Sequence, residues 1–329
     1  MIKTQLKIFV FLLLFNAFSF IAIAQDYTYS QFYANPLYLN PALAGAEYCP
    51  RIIANYRNQW PSLPGAFVSY SASYDQYSEF VSGGLGVQVD YNSSGQGALY
   101  DFQLSGMYAY NFQLSDRMEA NLALQAGLGN RGLNFDKLDF GINNPGIPSP
   151  NFEDYKSNLM YPDFATGFVV GYDEKYFLGA AVHHLASPDI SLNTEDENLL
   201  KRKFTLHAGA NFGSESSRGY RRSSGPSLIV SPNIMYQQQG QYRQLNLGSY
   251  FTLAPFVAGL WFRHAFVNPD AIIVSLGLVQ KSLRLGYSFD YSISSLAIQS
   301  GGAHEISLSW TFACDQKRKR SRAIKCPSF

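Results

Sequence analysis

The feature that most constrains this chain is a period of two. In Ser282–Ser292, Leu283, Leu285, Tyr287, Phe289 and Tyr291 alternate with Arg284, Gly286, Ser288, Asp290 and Ser292. Between Ala98 and Gln113, Tyr100, Phe102, Leu104, Tyr108, Tyr110 and Phe112 share one parity, and Asp101, Gln103, Ser105 and Asn111 share the other. Towards the C-terminus, Ile306, Leu308, Trp310 and Phe312 alternate with Glu305, Ser307, Ser309 and Thr311. Successive side chains of a strand point to opposite faces. Alternation over eight or more residues therefore marks a strand with one apolar face. About fourteen such segments follow one another, near 51–59, 65–74, 83–91, 98–113, 117–129, 162–173, 175–185, 203–213, 227–237, 242–253, 256–266, 270–279, 282–292 and 304–312.

Composition decides which all-β class this is. Charged residues are 15% and aromatics 16%, where a soluble globular chain carries about 25% charged residues. A soluble sandwich or barrel would have shorter strands and a charged outer face. Segments of about ten residues suit a tilted strand crossing a bilayer. After the N-terminal region no window holds a long unbroken apolar run, so helical spans are not expected. The reading is a transmembrane antiparallel β-barrel of about fourteen strands, an even number as closure requires. The connections agree. Those after even strands are short (114–116, 173–174, 254–255, 280–281), and several after odd strands are long (131–161, 186–202, 293–303). Short turns belong on the periplasmic side. The exception is SESSRGYRRSSGPS at Ser214–Ser227, long and basic for such a turn.

Residues 1–24 read as a signal peptide: Lys3 and Lys7, an apolar stretch from Ile8 to Phe15, and Ala22-Ile23-Ala24 before the cut. A retained anchor is the alternative. No Cys follows the cut, which argues against a lipoprotein. Residues 25–50 contain SQFYANPLYLNPALAG, with turns expected at Asn35-Pro36 and Asn40-Pro41. It is too aromatic for a linker. Phe32, Tyr33 and Tyr38 are expected to plug the lumen, or else to line the periplasmic rim, entering from the periplasmic mouth. Residues 51–312 form the barrel and 313–329 a basic periplasmic tail. Both chain ends are thus expected on the periplasmic side of an outer membrane.

Chemistry is sparse. No nucleophile elbow is present, and Gly83-Gly84-x-Gly86 lies in a strand without a following helix, so it is no phosphate cradle. Cys-x-x-Cys pairs are absent and the five histidines scatter. No catalytic residue, cofactor or metal is expected, and a formal charge of +1 gives no case for nucleic acid. His183-His184 reads as a rim pair at the membrane surface, since neighbours on a strand face opposite ways. Arg57, Asp90, Asp101, Arg263, Arg284, Asp290 and Glu305 sit on the polar parity. A basic residue on the lipid face near mid-membrane would cost about 2–4 kcal/mol, so these side chains should point inward. Arg263, Arg284, Asp290 and Glu305 are read as a lumen ion network that closes a narrow barrel rather than a transport path.

Two surfaces could meet partners. The loops 131–161 and 186–202 could carry partner contacts, with Phe152, Tyr155 and Tyr161 as aromatic anchors. Lys317, Arg318, Lys319, Arg320, Arg322 and Lys325, with Arg218, Arg221 and Arg222, could form one basic periplasmic face. Cysteines number three: Cys49, Cys314 and Cys326. Closure makes the first and last strands neighbours about 4.8 Å apart. Cys49 and Cys314 would then fall within disulfide reach. A Cys314–Cys326 bridge, or none, are the rivals.

The motifs SQFYANPLYLNPALAG, RIIANYRNQW (Arg51–Trp60), GGLGVQV (Gly83–Val89) and HEISLSWTF (His304–Phe312), with a basic tail ending CPSF, resemble the PorP/SprF family of type IX secretion system membrane proteins over nearly the whole mature chain. The resemblance implies an outer-membrane barrel without enzymatic activity, from a Bacteroidota-type cell. Its partners would be outer-membrane lipid, the translocon and gliding machinery, periplasmic ring subunits, and secreted cargo with a gliding-motility-associated C-terminal domain. The alternative is an outer-membrane channel for small or hydrophobic solutes. The basic tail after Phe312 favours the first reading, because a transporter usually ends at the barrel's final aromatic.

Overall fold

The computed structural model describes residues 26–138, 155–213, 228–266, 268–293 and 300–314. Alternation becomes fourteen strands: β1 Arg51–Gln59, β2 Phe67–Ser78, β3 Gly83–Ser94, β4 Leu99–Ser115, β5 Met118–Leu133, β6 Asn158–Tyr172, β7 Tyr176–His183, β8 Lys203–Ala210, β9 Ile229–Gln239, β10 Tyr242–Leu253, β11 Phe256–His264, β12 Pro269–Gln280, β13 Leu283–Ser292 and β14 Ala303–Thr311. Each pairs antiparallel with its sequence neighbours, and β1 pairs with β14 from Arg51↔Thr311 to Gln59↔Ala303, closing the barrel. Closure leaves no unpaired edge, which is what lets a sheet cross a bilayer.

The faces are inverted relative to a soluble barrel. On β13, Tyr287 is 42% exposed while Ser288 beside it is 0% exposed. Apolar residues such as Leu104, Leu276, Ile306 and Trp310 face outward; Arg57, Asp90, Asp290 and Glu305 are buried inside. β2 runs on to Ser78, beyond the alternation first read, because Asp75 continues the inward parity and is held there by Arg51. β6 likewise starts four residues earlier, at Asn158.

The barrel has two unlike mouths. At the near mouth, where β1 starts and β14 ends, the turns 79–82, 116–117, 173–175, 254–255 and 281–282 are short, and only 211–228 is long. The far mouth carries 60–66, 95–98, 134–157, 184–202, 240–241, 265–268 and 293–302. The long connections other than 211–228 thus all lie at the far mouth, but three turns there are as short as those of the near mouth, so the asymmetry holds only in part.

Residues 26–50 run through the lumen from one mouth to the other. Asp26 accepts from Gln239 Nε2 and Lys203 Nζ, at the far ends of β9 and β8. Gly45 N donates to Asp75 near the other end of β2, and Cys49 is disulfide-bonded to Cys314, with Cα atoms 5.6 Å apart. Between them lie a 3-10 turn at Phe32–Ala34, one α-helical turn at Pro36–Leu39 and a second 3-10 turn at Pro41–Leu43. Each proline sits at the first position of its turn, where no N–H is needed. This corrects one expectation: the segment does not begin at the mouth from which β1 starts. Asp26 and Cys314 lie at opposite mouths, so the described chain does not begin and end on one side.

Candidate functional site

The lumen is the site, and its occupant is the chain's own segment. Just inside the far mouth, Ser30 N and Gln31 N donate to the two oxygens of Glu305, at 2.7 and 3.1 Å. Gln31 Nε2 donates to Glu305 O, and Ser307 Oγ donates to Gln31 Oε1. Ser30 Oγ donates to Asp290 and accepts from Arg57 Nη1 at 2.7 Å. Arg57 pairs with Asp290 and Glu305, each at 3.1 Å, and Arg263 pairs with Asp290 at 3.0 Å. Two guanidinium groups and two carboxylates from four strands are thus tied together through the segment's backbone. Buried charge is tolerated only when paired and hydrogen-bonded, and here the segment supplies part of the pairing.

Arg284 stands apart from that network. It lies six positions before Asp290 on β13, about 20 Å along the strand at 3.4 Å per residue. There it donates to Glu47 at 2.6 Å, and Glu47 also meets Arg51 at 3.4 Å. Arg57, Arg263, Asp290 and Glu305 thus form one charged cluster at the far mouth, while Arg284 ties down the near end of the segment.

Mid-lumen contacts are aromatic. Phe32 meets Trp261 edge-on at 5.2 Å, and Tyr33 meets Phe177, His207 and Tyr250 at 5.7–6.4 Å. Both rings are buried. Tyr38 is half-buried; its hydroxyl donates to Tyr27 O, and Lys203 Nζ lies 4.5 Å from its ring centre. Asn40 Nδ2 donates to Phe168 O and Ala180 O, and its Oδ1 accepts from Ala42 N, capping the second 3-10 turn. Asn121 Nδ2 donates to Ala42 O at 2.8 Å.

Close approach explains the glycines of β3 and β6. A Cβ at Gly84 would fall 1.9 Å from Ala44 O, and one at Gly167 would fall 2.1 Å from Asn40 Oδ1. Gly84, from a glycine run that the sequence shows to be no phosphate cradle, is thus a seat of the segment.

At the far mouth a second polar cluster was missed. His183 and His184 are both buried in the lumen rather than forming a pair at the membrane surface. His183 ends β7 facing inward, and His184 takes φ of 58°, which turns its ring inward as well. His184 then bridges Asp163 at 2.9 Å and Asp26 at 2.8 Å. Asp163 also accepts from Gln103 Nε2, and Asp101 is held by Arg131. The parity rule failed because it applies within a strand, and His184 lies one residue beyond it. Loop 184–202 folds over this cluster, burying Ile190 and Leu200. Among the described residues no group of His, Cys, Asp and Glu is placed to hold a metal ion.

Tyr161 lies within β6 rather than in the loop, and Tyr155 is exposed and bridges to Asn193. Phe152, Arg218, Arg221, Arg222, Lys317, Arg318, Lys319, Arg320, Arg322, Lys325 and Cys326 lie outside the described residues, as does the expected signal peptide.

An apolar outer face, a closed fourteen-stranded wall and a filled lumen define a transmembrane β-barrel of the outer-membrane kind. The chain belongs to the family described as type IX secretion system membrane protein PorP/SprF, whose model matches residues 21–310. Among curated proteins no match was found. Solved structures similar to it include the Ralstonia pickettii toluene transporter TbuX, 10% identical with a TM-score of 0.49, covering 84% of this chain and 93% of that one. The P. putida toluene transporter TodX is 8% identical with a TM-score of 0.45, covering 83% and 92%. Acinetobacter baumannii outer membrane protein Omp33 is 6% identical with a TM-score of 0.43, covering 82% and 100%. Likeness at this level carries no argument about what the chain does.

Proposed function

We propose that this chain is a non-enzymatic component of the type IX secretion and gliding machinery. It supports secretion or surface attachment of cargo with a gliding-motility-associated C-terminal domain. It acts as a sealed docking platform and not as a conduit. The observation that supports a platform is the occupied lumen: Phe32, Tyr33, Leu37 and Leu43 are buried inside the barrel, and the segment is fastened at both mouths.

In this reading the near mouth faces the periplasm, as its short turns suit. The far loops, with Tyr155 and Phe152, receive cargo outside. The basic residues of 214–227 and 315–329 dock the periplasmic ring subunits. Deleting the gene should stop cargo from reaching or staying on the cell surface, and the native chain should co-purify with machine subunits. Charge reversal at Arg318, Arg320 and Arg322 to Glu should weaken that recovery, more at low salt than at high because surface attraction is screened over about 10 Å at 0.1 M. Barrel assembly should be unaffected. Normal cargo display in the deletion strain, or a wide ion-conducting pore from the intact chain in planar bilayers, would overturn the platform reading.

A further inference from the structure

Beneath the far mouth the segment leaves a small cavity of about 70 Å³, bounded by Tyr27, Leu37 and Tyr38 of the segment and by the facing wall. A cavity takes up a water once it offers about 10–15 Å³. This one therefore has room for a small ion with a few waters, and for nothing much larger.

Most of the charge around it is matched. Arg131 donates to both oxygens of Asp101, at 2.8 and 3.1 Å. Lys203 and His184 each meet Asp26 at 2.8 Å, and the other ring nitrogen of His184 meets Asp163 at 2.9 Å. Carboxylates only accept, so both His184 nitrogens carry hydrogen and the ring is cationic. Asp90 is the exception. It lines the cavity, is 4% exposed, and pairs with no Lys, Arg or His among the described residues. Its hydrogen bonds come from neutral groups, Gln88 Nε2 at 3.0 Å and the Ser71 hydroxyl. Four carboxylates (Asp26, Asp90, Asp101, Asp163) thus face three cations (Arg131, Lys203, His184), and the cluster is one positive charge short.

The unpaired atoms are all acceptors. Asn92 Oδ1, Gln125 Oε1 and His183 Nε2 belong to residues lining the same cavity and are buried without a hydrogen-bond partner. His183 donates from its other nitrogen to the Leu39 backbone, which leaves Nε2 a bare lone pair. Buried polar atoms are almost always paired, and a buried charge is costly unless it is paired. Water would answer the lone pairs and leave the charge unmet. A small cation carrying its own waters answers both.

We propose that this cavity binds one hard monovalent cation, sodium or potassium, with Asp90 and Asn92 as its protein ligands. The two residues lie two positions apart on the inward face of β3, about 7 Å along the strand, so their oxygens can close on one ion. Carboxylate, amide oxygen and water are the donors that hard cations take. Gln125 and His183, on β5 and β7, accept from the ion's waters. A divalent ion would leave the cluster one positive charge in excess. Among the described residues no set of His, Cys, Asp and Glu is placed for a transition metal, and one carboxylate with neutral oxygens is a site of low charge. The assignment does not rest on the secretion role.

The test uses the full mature chain, oxidised, in detergent and freed of lipopolysaccharide, with sodium, potassium, choline and calcium chlorides as probes. At constant ionic strength, sodium NMR should show saturable line broadening with a Kd of about 10 mM, displaced by potassium and not by choline. Exchanging choline for sodium should raise the urea midpoint in step with occupancy, because the ion binds the folded chain. Asp90→Asn should abolish both effects, and Asn92→Ala should weaken sodium binding about tenfold. Ser309→Ala, at the near end of β14, should change neither. If Asp90→Asn fails to fold, line broadening in the unaltered chain still decides. Absence of saturable broadening up to molar sodium overturns the proposal. So does an infrared band of a protonated carboxyl that Asp90→Asn removes, since the missing charge would then be a proton. Calcium binding with sodium inert, or sodium binding indifferent to Asp90→Asn, overturns it as well.

Discussion

Glu305 is 0% exposed, yet its carboxylate has no shortage of partners: two backbone N–H groups of the segment and one guanidinium. Charge-assisted bonds of this kind are the stronger ones, and they make Arg57 the residue whose loss should be felt most. Arg57→Met would leave Asp290 and Glu305 buried with only Arg263 between them. Breaking a buried pair on one side costs about 3–5 kcal/mol. Urea unfolding of the folded barrel should show a loss of that order. Adding Glu305→Gln should restore part of it, and a double variant no better than the single would count against the pairing. At the near mouth the sign concerns pH. Burial alone would raise the Glu47 carboxyl, but Arg51 and Arg284 outweigh it and hold it below its ordinary 4.5. A depressed folded value gives a contribution present above the unfolded value and lost as pH falls through the folded one. The near-mouth fastening should therefore be at full strength at neutral pH and weaken below about pH 4.5. Between pH 7 and pH 3 the urea midpoint of Glu47→Gln should fall less than that of the unaltered chain.

The segment from Ser30 to Gly45 is the element that separates this barrel from an open one. Removing 31–45 should leave the wall intact, because β1–β14 pairing does not depend on it, and should expose a lumen lined by Ser, Asn, Gln and charged side chains. In planar bilayers the unaltered chain should be silent and the deletion should conduct steadily. Equal silence in both would show that something other than the segment closes the lumen. Gly84→Val should give an intermediate result, since its side chain must displace Ala44. The strands themselves were legible because alternation is local: a strand of β13's kind announces itself in ten residues. The segment was legible only as a demand. Phe32 and Tyr33 had to be buried somewhere, but lumen and rim satisfy that demand equally in sequence. Which mouth it enters from depends on pairs such as Ser30 with Glu305, 275 positions apart, and no local pattern encodes those. His184 escaped for a related reason, since a left-handed residue just past a strand end breaks the parity on which the inward list was built.

At the scale of the molecule, two devices hold one closed wall. The nine residue pairs from Arg51↔Thr311 to Gln59↔Ala303 zip the seam, and the Cys49–Cys314 bridge locks its near end across 265 positions of sequence. Cross-linking so long a loop is worth about 2–5 kcal/mol, chiefly by restricting the unfolded chain. Cys49→Ser should therefore keep the fold but unfold at lower urea by that amount, and non-reducing peptide mapping of the unaltered chain should recover Cys49 joined to Cys314. The same seam bears on orientation. Both ends of β1 and β14 are fixed by pairing, so the short-turn mouth and the long-loop mouth must lie on opposite sides of the membrane. Glu195 is exposed in the far loop 184–202, and Asp116 is exposed in a near turn. In a Cys326→Ser background, Glu195→Cys should react with a membrane-impermeant maleimide on intact cells. Asp116→Cys should react only after the outer membrane is permeabilised. Asp26 lies against the far cluster through His184 and Lys203, so the same result would place the start of the threaded segment beneath the outer surface, with β14 ending on the periplasmic side. Labelling of Asp116→Cys in intact cells, with Glu195→Cys protected, would reverse the orientation and move the proposed cargo loops to the periplasm.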